Sequence, residues 1–201
     1  MQLLPNDTAY WDNRYRAGET GWDIGAVSTP IKDYVDQCQH KAASILVPGC
    51  GNAYEAAYLL EEGFTNVTII DISPAAIEKV RARLKNFEGK QLNIICGDFF
   101  ELDQTFDLVL EQTFFCALPP AARPAYAAKM KSILNPNGKL VGVLFNRHFD
   151  QGPPFGGTKD EYENLFSQDF VVSVMADCYN SVKPRAGTEL FFILENNEKS
   201  F

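Results

Sequence analysis

The sequence contains little of what a metal site or a disulfide framework needs. Of its 201 residues, two are histidine and five are cysteine, and no pair of cysteines has the spacing C-x-x-C. Zinc and related metals draw most of their ligands from these two residue types, and a disulfide framework normally uses an even number of cysteines. The composition therefore predicts no metal centre and free thiols in a reducing compartment, the cytoplasm.

An excess of positive charge is also missing. The formal net charge is -8 and the sequence pI is about 4.8. Such a surface repels nucleic-acid phosphates and anionic lipid headgroups. The densest basic group lies within one predicted helix and is interpreted as a solvated helix face; it comprises Lys79, Arg81, Arg83 and Lys85. We expect neither nucleic acid nor a membrane as a partner.

Long apolar runs are absent, and residues 1–7 lack the charged and apolar regions of a signal peptide. Apolar residues make up 46% of the chain and charged residues 22%, which is typical of a folded soluble domain. The length suits one domain with a sizeable core. We expect a single domain over residues 1–201, in which residues 1–43 form a helical cap over a core of residues 44–201, as a monomer or weak homodimer.

Short apolar runs alternate with helical patterns from residue 44 onward. Strands are predicted over residues 44–47, 66–71, 92–96, 106–110, 139–145, 170–177 and 188–195, and helices over 53–62, 74–87, 120–134 and 160–166. Unbroken apolar strands separated by helices indicate a parallel sheet with helices on both faces. The last two strands have no helix between them, which adds antiparallel strands at one edge. The predicted fold is α/β and Rossmann-like.

The clearest chemical signal is the glycine loop after the first predicted strand. Gly49 and Gly51 let the backbone approach a ligand, and the following helix offers unpaired N–H groups. Asp71 ends the second strand, 20 residues after Gly51, where a carboxylate can accept hydrogen bonds from both hydroxyls of a ribose. The pattern predicts a nucleoside-containing cofactor at this edge of the sheet.

Residue 54 distinguishes between two cofactors. The dinucleotide fingerprint G-x-G-x-x-G requires glycine at this position, which is occupied by Tyr54. The third glycine serves close packing around a pyrophosphate, a group that S-adenosylmethionine does not have. The loop therefore favours S-adenosylmethionine over a nicotinamide cofactor. Asp98 and Phe99 follow the third strand, where a carboxylate can bind an adenine amino group and a ring can cover the base.

Several motifs outside the cofactor loop make the chain similar to a known family. It resembles the thiopurine S-methyltransferase superfamily, and most of all its halide/thiol methyltransferases, from about Trp11 to Glu195. The motifs are Trp11-x-x-x-Tyr15, Thr20-Gly21-Trp22-Asp23-x-Gly25, Leu46-Val47-Pro48-Gly49-Cys50-Gly51, Asp71-Ile72-Ser73, Phe114-Phe115-Cys116-Ala117-Leu118 with Arg123-Pro124, and Gly152-Pro153-Pro154-Phe155.

The resemblance implies a class I methyltransferase fold of seven strands, mostly parallel with an antiparallel last strand. It implies that S-adenosylmethionine is held by Trp11, Tyr15, Trp22, Gly49, Gly51, Asp71, Ile72, Asp98, Phe99 and Glu111, with Gln112 beside the methionine part. It also implies that Arg185, Asp23 and Phe155 act on the acceptor, with Trp22 and Phe115 around it. The acceptor would be a small soft nucleophile: a thiol, a thiopurine, a halide or a related anion.

Two differences from the family leave the acceptor open. This chain has Phe155 where the halide/thiol branch often has tyrosine, and Gln112 near the position of an arginine in the thiopurine branch. Arg185 is either an acceptor-site cation or an ordinary surface cation. A nicotinamide-dependent oxidoreductase and a non-catalytic protein that binds S-adenosylmethionine remain the alternative functions.

Overall fold

A computed structural model of the chain describes residues 7–197. Residues 1–6 and 198–201, including most of the stretch considered above for a signal peptide, lie outside the described part. The strands are β1 (Ile45–Pro48), β2 (Val67–Asp71), β3 (Leu92–Cys96), β4 (Phe106–Gln112), β5 (Leu134–Phe145), β6 (Val171–Asp177) and β7 (Glu189–Glu195). The helices are α1 (Thr8–Ala17), α2 (Thr29–Val35), α3 (Tyr54–Glu61), α4 (Pro74–Leu84), α5 (Arg123–Ile133) and α6 (Lys159–Phe166).

All seven strands form one sheet in the order β3-β2-β1-β4-β5-β7-β6. The pairs from β3 across to β5 are parallel, whereas β7 runs antiparallel to both β5 and β6. The predicted seven-stranded sheet with an antiparallel last strand is confirmed. The chain order reverses between β1 and β4, and ligands of open α/β sheets bind at such a point.

Helices cover both faces of the sheet because alternate strand residues point to opposite sides. In β1, Ile45 and Val47 enter the core layer that contains residues of α2, α3 and α4. Leu46 enters the opposite layer, which contains residues of α5 and α6. Both layers are apolar, which explains why the central strands read as unbroken hydrophobic runs.

The start of α4 follows from its sequence. Ser73 has an extended backbone, and its hydroxyl accepts a hydrogen bond from the backbone N–H of Ala76 at 3.2 Å. Pro74 occupies the first helical position, where a backbone N–H would have no hydrogen-bond partner within the helix, so the lack of an N–H in proline costs no hydrogen bond. The helix ends at Leu84, three residues before the predicted end.

The first helix is fixed to α4. Asp12 accepts hydrogen bonds from the backbone N–H of Ala75 at 2.7 Å and from the Ser73 hydroxyl at 3.2 Å. Lys79 donates to the backbone carbonyl of Tyr15 at 3.1 Å. These contacts place the aromatic side chains of α1 beside the loop that follows β1.

The basic group on and just after α4 is the solvated face that was predicted, since Lys79, Arg81, Arg83 and Lys85 are all exposed. Lys79 binds α1 as described, Arg81 forms an ion pair with Glu88 at 2.7 Å, and Arg83 donates to the backbone carbonyl of Asn52. Three of the four cations thus also make contacts within the chain while they stay exposed. Within residues 7–197, no helix has both the length and the apolar character that crossing a bilayer requires.

Candidate active site

A cavity of about 830 Å³ opens at the carboxyl edge of the sheet. The ends of β1 to β5 all contribute to its wall, through Gly49, Asp71, Gly97, Gln112 and Phe145 respectively. Residues from α1 and from the segment between α1 and α2 close it from above. The volume lies in the range of small-molecule and cofactor sites.

The glycine loop bends because three of its residues adopt left-handed backbone conformations. Gly49 and Gly51 have φ values of 55° and 52°, and Ala53 has a φ of 52°. A methyl group on Gly49 would lie 2.3 Å from the ring of Phe114, and one on Gly51 would lie 2.5 Å from the hydroxyl of Tyr15. Both glycines are thus required by aromatic side chains that approach the loop, as well as by its backbone conformation.

Asp71 lies buried at the end of β2 and faces the cavity. One carboxylate oxygen accepts a hydrogen bond from the Gly51 N–H at 2.8 Å, and the other accepts one from the Ser73 N–H at 2.8 Å. Burial raises the pKa of Asp71, and these backbone hydrogen bonds oppose the rise. A backbone hydrogen bond from Ile72 also reaches the carboxylate, but its two oxygens can accept about four hydrogen bonds in all, so the group can still accept from a ribose.

The loop after β3 contributes a second acidic group. Asp98 is exposed and accepts a hydrogen bond from the Phe100 N–H at 2.8 Å. Phe99 is buried and Phe100 is partly exposed, and both rings lie in the cavity wall. Ile72 joins them there. An aromatic surface next to a carboxylate and a buried aspartate suits a nucleoside.

Three aromatic side chains from the N-terminal segment form the opposite wall. Trp22 lies edge-on to Trp11, with ring centroids 5.4 Å apart, and edge-on to Tyr15, at 5.8 Å. Tyr15 is buried, while Trp11 and Trp22 are half-buried. Electron-rich rings at this position can stabilise a sulfonium or ammonium cation.

Asp23 connects the segment between α1 and α2 to the glycine loop. One of its oxygens accepts from the Gly25 N–H at 2.7 Å, and the other accepts from the Asn52 side-chain amide and from the Tyr54 hydroxyl at 3.3 Å. Asp23 lines the cavity, but these contacts show that it also holds the segment in place.

Arg185 is not an ordinary surface cation. Its side chain is about 10% exposed, lines the cavity, and donates to the backbone carbonyl of Trp22 at 2.8 Å. It also forms a buried ion pair with Glu189 at 3.5 Å, and its guanidinium lies 5.6 Å from the centroid of the Phe145 ring. The arginine thus links the C-terminal hairpin to the N-terminal cap.

The structure does not bring Glu111, Phe155 or Phe115 to the cavity wall. Glu111 belongs to β4 rather than following it, and its buried carboxylate accepts hydrogen bonds from the N–H groups of Phe114 and Phe115 and from the Tyr126 hydroxyl. Phe115 packs in the core at 4.9 Å from the Tyr126 ring.

The loop that carries Phe155 presents its two prolines instead. Pro153 and Pro154 line the cavity, while the Phe155 ring packs on Gly152. A methyl group added to Gly152 would lie 2.3 Å from that ring. The Phe155 backbone N–H donates to the Cys116 carbonyl at 2.6 Å, which fixes the loop beside the turn after β4.

Several residues of the cavity wall were not assigned to the site from the sequence, among them Arg14, Glu55 and Phe114. The local sequence could have indicated Glu55, because it is an acidic residue in the first turn of the helix that follows the glycine loop. It is buried, and desolvation raises its pKa to about 7. Phe114 is turned toward the cavity by the preceding residue, Thr113, which has a φ of 61°.

Neither cysteine in the cavity wall has the surroundings of an activated nucleophile. Cys50 and Cys116 are buried, and desolvation raises the pKa of both thiols. The described part of the chain has no cluster of three or more potential metal ligands.

Comparison with known proteins identifies the family. The family model described as thiopurine S-methyltransferase matches residues 6–199. A probable thiol methyltransferase 2 from Arabidopsis thaliana is 32% identical over 194 residues, which cover 93% of this chain and 84% of that protein. The chain belongs to the thiopurine S-methyltransferase family. It is accordingly a methyltransferase that uses S-adenosylmethionine.

Further relatives and solved structures agree with this assignment. A thiocyanate methyltransferase 1 from Brassica oleracea is 31% identical over 160 residues, covering 77% of this chain and 70% of that protein. The structure of a Burkholderia thailandensis 1,6-didemethyltoxoflavin N1-methyltransferase superposes with a TM-score of 0.76 at 21% identity, covering 95% of this chain and 87% of that one. At such identity the superposition supports the fold alone.

The family assignment removes the nicotinamide-dependent oxidoreductase from the alternatives. The cavity residues also fit S-adenosylmethionine: the wall combines the glycine loop, a buried aspartate with free lone pairs and a cluster of aromatic rings. The cavity continues past these groups to Arg185, Phe145 and the prolines at 153 and 154. Space for an acceptor argues against a protein that only binds the cofactor.

Proposed function

We propose that this protein transfers a methyl group from S-adenosylmethionine to the sulfur of a small acceptor molecule. The observation that carries the proposal is one continuous cavity that joins the glycine loop and Asp71 to Arg185 and Pro154. Such a cavity can hold a cofactor and a small acceptor in contact. The names of the thiol and thiocyanate methyltransferases among its relatives support sulfur as the methylated atom.

The cofactor end is assigned from the groups that fit its parts. Asp71 would accept hydrogen bonds from the ribose, and Asp98 with Phe99 would hold the adenine. Gly49 and Gly51 would bring the backbone close to the methionine part, and Ile72 would pack on the nucleoside. When bound, the cofactor supplies an electrophilic methyl carbon on a sulfonium.

The protein's own task is to align the acceptor and to exclude water. Trp11, Tyr15 and Trp22 would face the positive charge of the sulfonium and keep water away from it. Pro153 and Pro154 would limit the acceptor to a small molecule. Arg185 would fix the Trp22 segment, since it already binds that backbone carbonyl. Residues 7–43 would form a cap over both parts of the cavity.

The test is formation of S-adenosylhomocysteine by the purified protein with a panel of acceptors. The panel contains a small aliphatic thiol, bisulfide, an aromatic thiol, thiocyanate, iodide and a thiopurine. Turnover with one or more of the sulfur compounds is expected. Binding of S-adenosylhomocysteine measured by calorimetry, without turnover of any sulfur compound, would contradict the proposal. A protein with Asp71→Ala is the control for cofactor binding, which it should weaken.

We also propose a cytoplasmic location and a monomer or weak homodimer. Support comes from the cysteines, because all five lie within the described residues and none is paired in a disulfide. Light scattering across a concentration series will measure the oligomeric state. We propose no nucleic-acid or membrane partner, since the net charge of -8 disfavours both.

A further inference from the structure

The cavity carries more negative than positive groups. Among the residues that the structure describes, its wall contains two guanidinium groups, those of Arg14 and Arg185, and five carboxyl groups. The five belong to Glu19, Asp23, Glu55, Asp71 and Asp98. An excess of carboxylates suits a cationic cofactor, but it opposes the entry of an acceptor that is already an anion.

The one arginine at the acceptor end already has a carboxylate partner. Arg185 pairs with Glu189 at 3.5 Å, and the two side chains are about 10% and 3% exposed. Its remaining donor contact, at 2.8 Å, goes to the backbone carbonyl of Trp22. Arg185 therefore shares its positive charge with Glu189, which weakens its attraction for an anionic acceptor.

Glu55 lines the same cavity within electrostatic range of Arg185, and its carboxyl group forms no ion pair in the described part of the chain. It lies in the first turn of α3, is 7% exposed and lines the cavity. Backbone hydrogen bonds from Ser28 and from Glu55 itself orient it. A buried carboxylate that faces an acceptor site can take a proton from the acceptor.

We propose that the acceptor enters as a neutral thiol and that Glu55 accepts its proton, an inference that rests on the proposed function above. The thiol S–H bond breaks, the proton moves to a Glu55 carboxylate oxygen, and the electron pair stays on sulfur. That sulfur then forms a bond to the methyl carbon, while the bonding pair of the cleaved C–S bond goes to the cofactor sulfur. The products are a methyl thioether, neutral S-adenosylhomocysteine and protonated Glu55, which returns its proton to water.

Three charged or titratable groups act on Glu55 from neighbouring elements. The positive charge of Arg185 favours the carboxylate, while Asp23 opposes it. The Cys50 thiol also lies within electrostatic range. Desolvation outweighs all of these and raises the pKa of Glu55 to about 7. A proton acceptor with this pKa is half-ionised near neutral pH, which suits general base catalysis.

The experiment compares Glu55→Gln with the wild-type protein on two acceptors, 2-mercaptoethanol and iodide. Iodide is an anion without a proton, so it needs no base. With the thiol, E55Q should lose roughly 10² to 10⁴-fold in kcat/KM, and the fall in wild-type activity below about pH 7 should vanish. With iodide, E55Q should keep or gain activity, because a negative charge has left the cavity.

Glu61→Gln is the matched control, since it removes the same group from an exposed position of the same helix. It should behave as wild type. Thermal unfolding and calorimetric binding of S-adenosylhomocysteine will test whether E55Q folds and keeps its cofactor site. Equal losses with thiol and iodide, or lost binding of S-adenosylhomocysteine, would overturn the role of Glu55. Failure of the proposed function would give a different result, because the wild-type protein itself would then turn over no thiol.

Discussion

The carboxylate of Asp12 accepts a hydrogen bond from the backbone N–H of Ala75 at 2.7 Å, so a side chain of α1 caps the N-terminus of α4. The same side chain contacts the Ser73 hydroxyl and pairs with Arg16. Helix N-termini bind negative groups through free N–H donors and the helix dipole. The contact fixes the helix that carries Trp11 and Tyr15 to the helix that follows Asp71.

Replacing Asp12 with alanine should loosen α1 and weaken cofactor binding. Loss of a capping group costs about 1 kcal/mol of stability. The hydrogen bond from Ala75 lowers the pKa of Asp12, so its stabilisation is complete above the usual aspartate pKa and is lost as the pH falls through the lower folded value. Urea unfolding and calorimetry measure both effects. Asp12→Asn, which can still accept the bond, should be milder; equal losses would contradict the capping role.

Gly51→Ala tests the contact between the glycine loop and α1. The new methyl group would lie 2.5 Å from the Tyr15 hydroxyl, on a residue with a φ of 52°. We expect binding of S-adenosylhomocysteine to weaken by about tenfold or more, since left-handed backbone alone costs roughly 1–2 kcal/mol in a residue with a side chain. Combining G51A with Tyr15→Phe removes the clashing oxygen and should restore part of the affinity. No restoration would show that backbone conformation alone requires the glycine.

We expect the contribution of Glu111 to the free energy of unfolding to depend on pH. Burial raises its pKa to about 7 from an ordinary value of 4.5. The folded state therefore resists ionisation, and the contribution of Glu111 to stability falls as the pH rises from about 4.5 to about 7. Glu111→Gln keeps an oxygen for the N–H groups of Phe114 and Phe115, so its stability relative to wild type should rise across that interval.

The control for this prediction is Glu111→Leu, which leaves the two N–H groups and the Tyr126 hydroxyl without their acceptor. It should be destabilised at every pH by roughly 1–3 kcal/mol for each unsatisfied group. Thermal unfolding between pH 4 and pH 8 measures all three proteins. A constant difference between wild type and E111Q would show that Glu111 does not titrate with a raised pKa.

Arg185→Met should cost both stability and activity. It leaves Glu189 buried without its partner and releases the carbonyl of Trp22. Breaking a buried ion pair from one side typically costs about 3–5 kcal/mol. The double variant with Glu189→Gln removes both charges and should recover much of the stability, but not the activity, because the Trp22 segment stays loose. Recovery of full activity would exclude a role for Arg185 in positioning that segment.

The sequence allowed the fold to be predicted in detail where local signals agree. The bounds of β3 were predicted to the residue, and the predicted start of α4 at Pro74 was confirmed. The predicted end of α4 at residue 87 was wrong, because the sequence of residues 85–87 is compatible with either helix or turn. The start of β5 was missed because Leu134 pairs with Phe106 before the chain bulges and resumes at Lys139.

Side-chain direction was harder to predict than element position. Glu111 and Gln112 are adjacent in β4, so they point to opposite faces, and only Gln112 reaches the cavity. Phe114 and Phe115 follow a residue with positive φ, which sequence alone does not indicate. The burial of Arg185 depends on Glu189 and on the Trp22 carbonyl, 163 residues away in the chain, so no local pattern could reveal it.

Transfer of the methyl group to a sulfur atom is tested most directly by one labelling measurement. The protein is incubated with S-adenosylmethionine carrying a deuterated methyl group and with 2-mercaptoethanol, and the products are analysed by mass spectrometry and NMR. We predict a deuterated methyl group bonded to the thiol sulfur, in an amount equal to the S-adenosylhomocysteine formed. Label on the oxygen of that acceptor, or bound cofactor with no transfer of label, would contradict the claim.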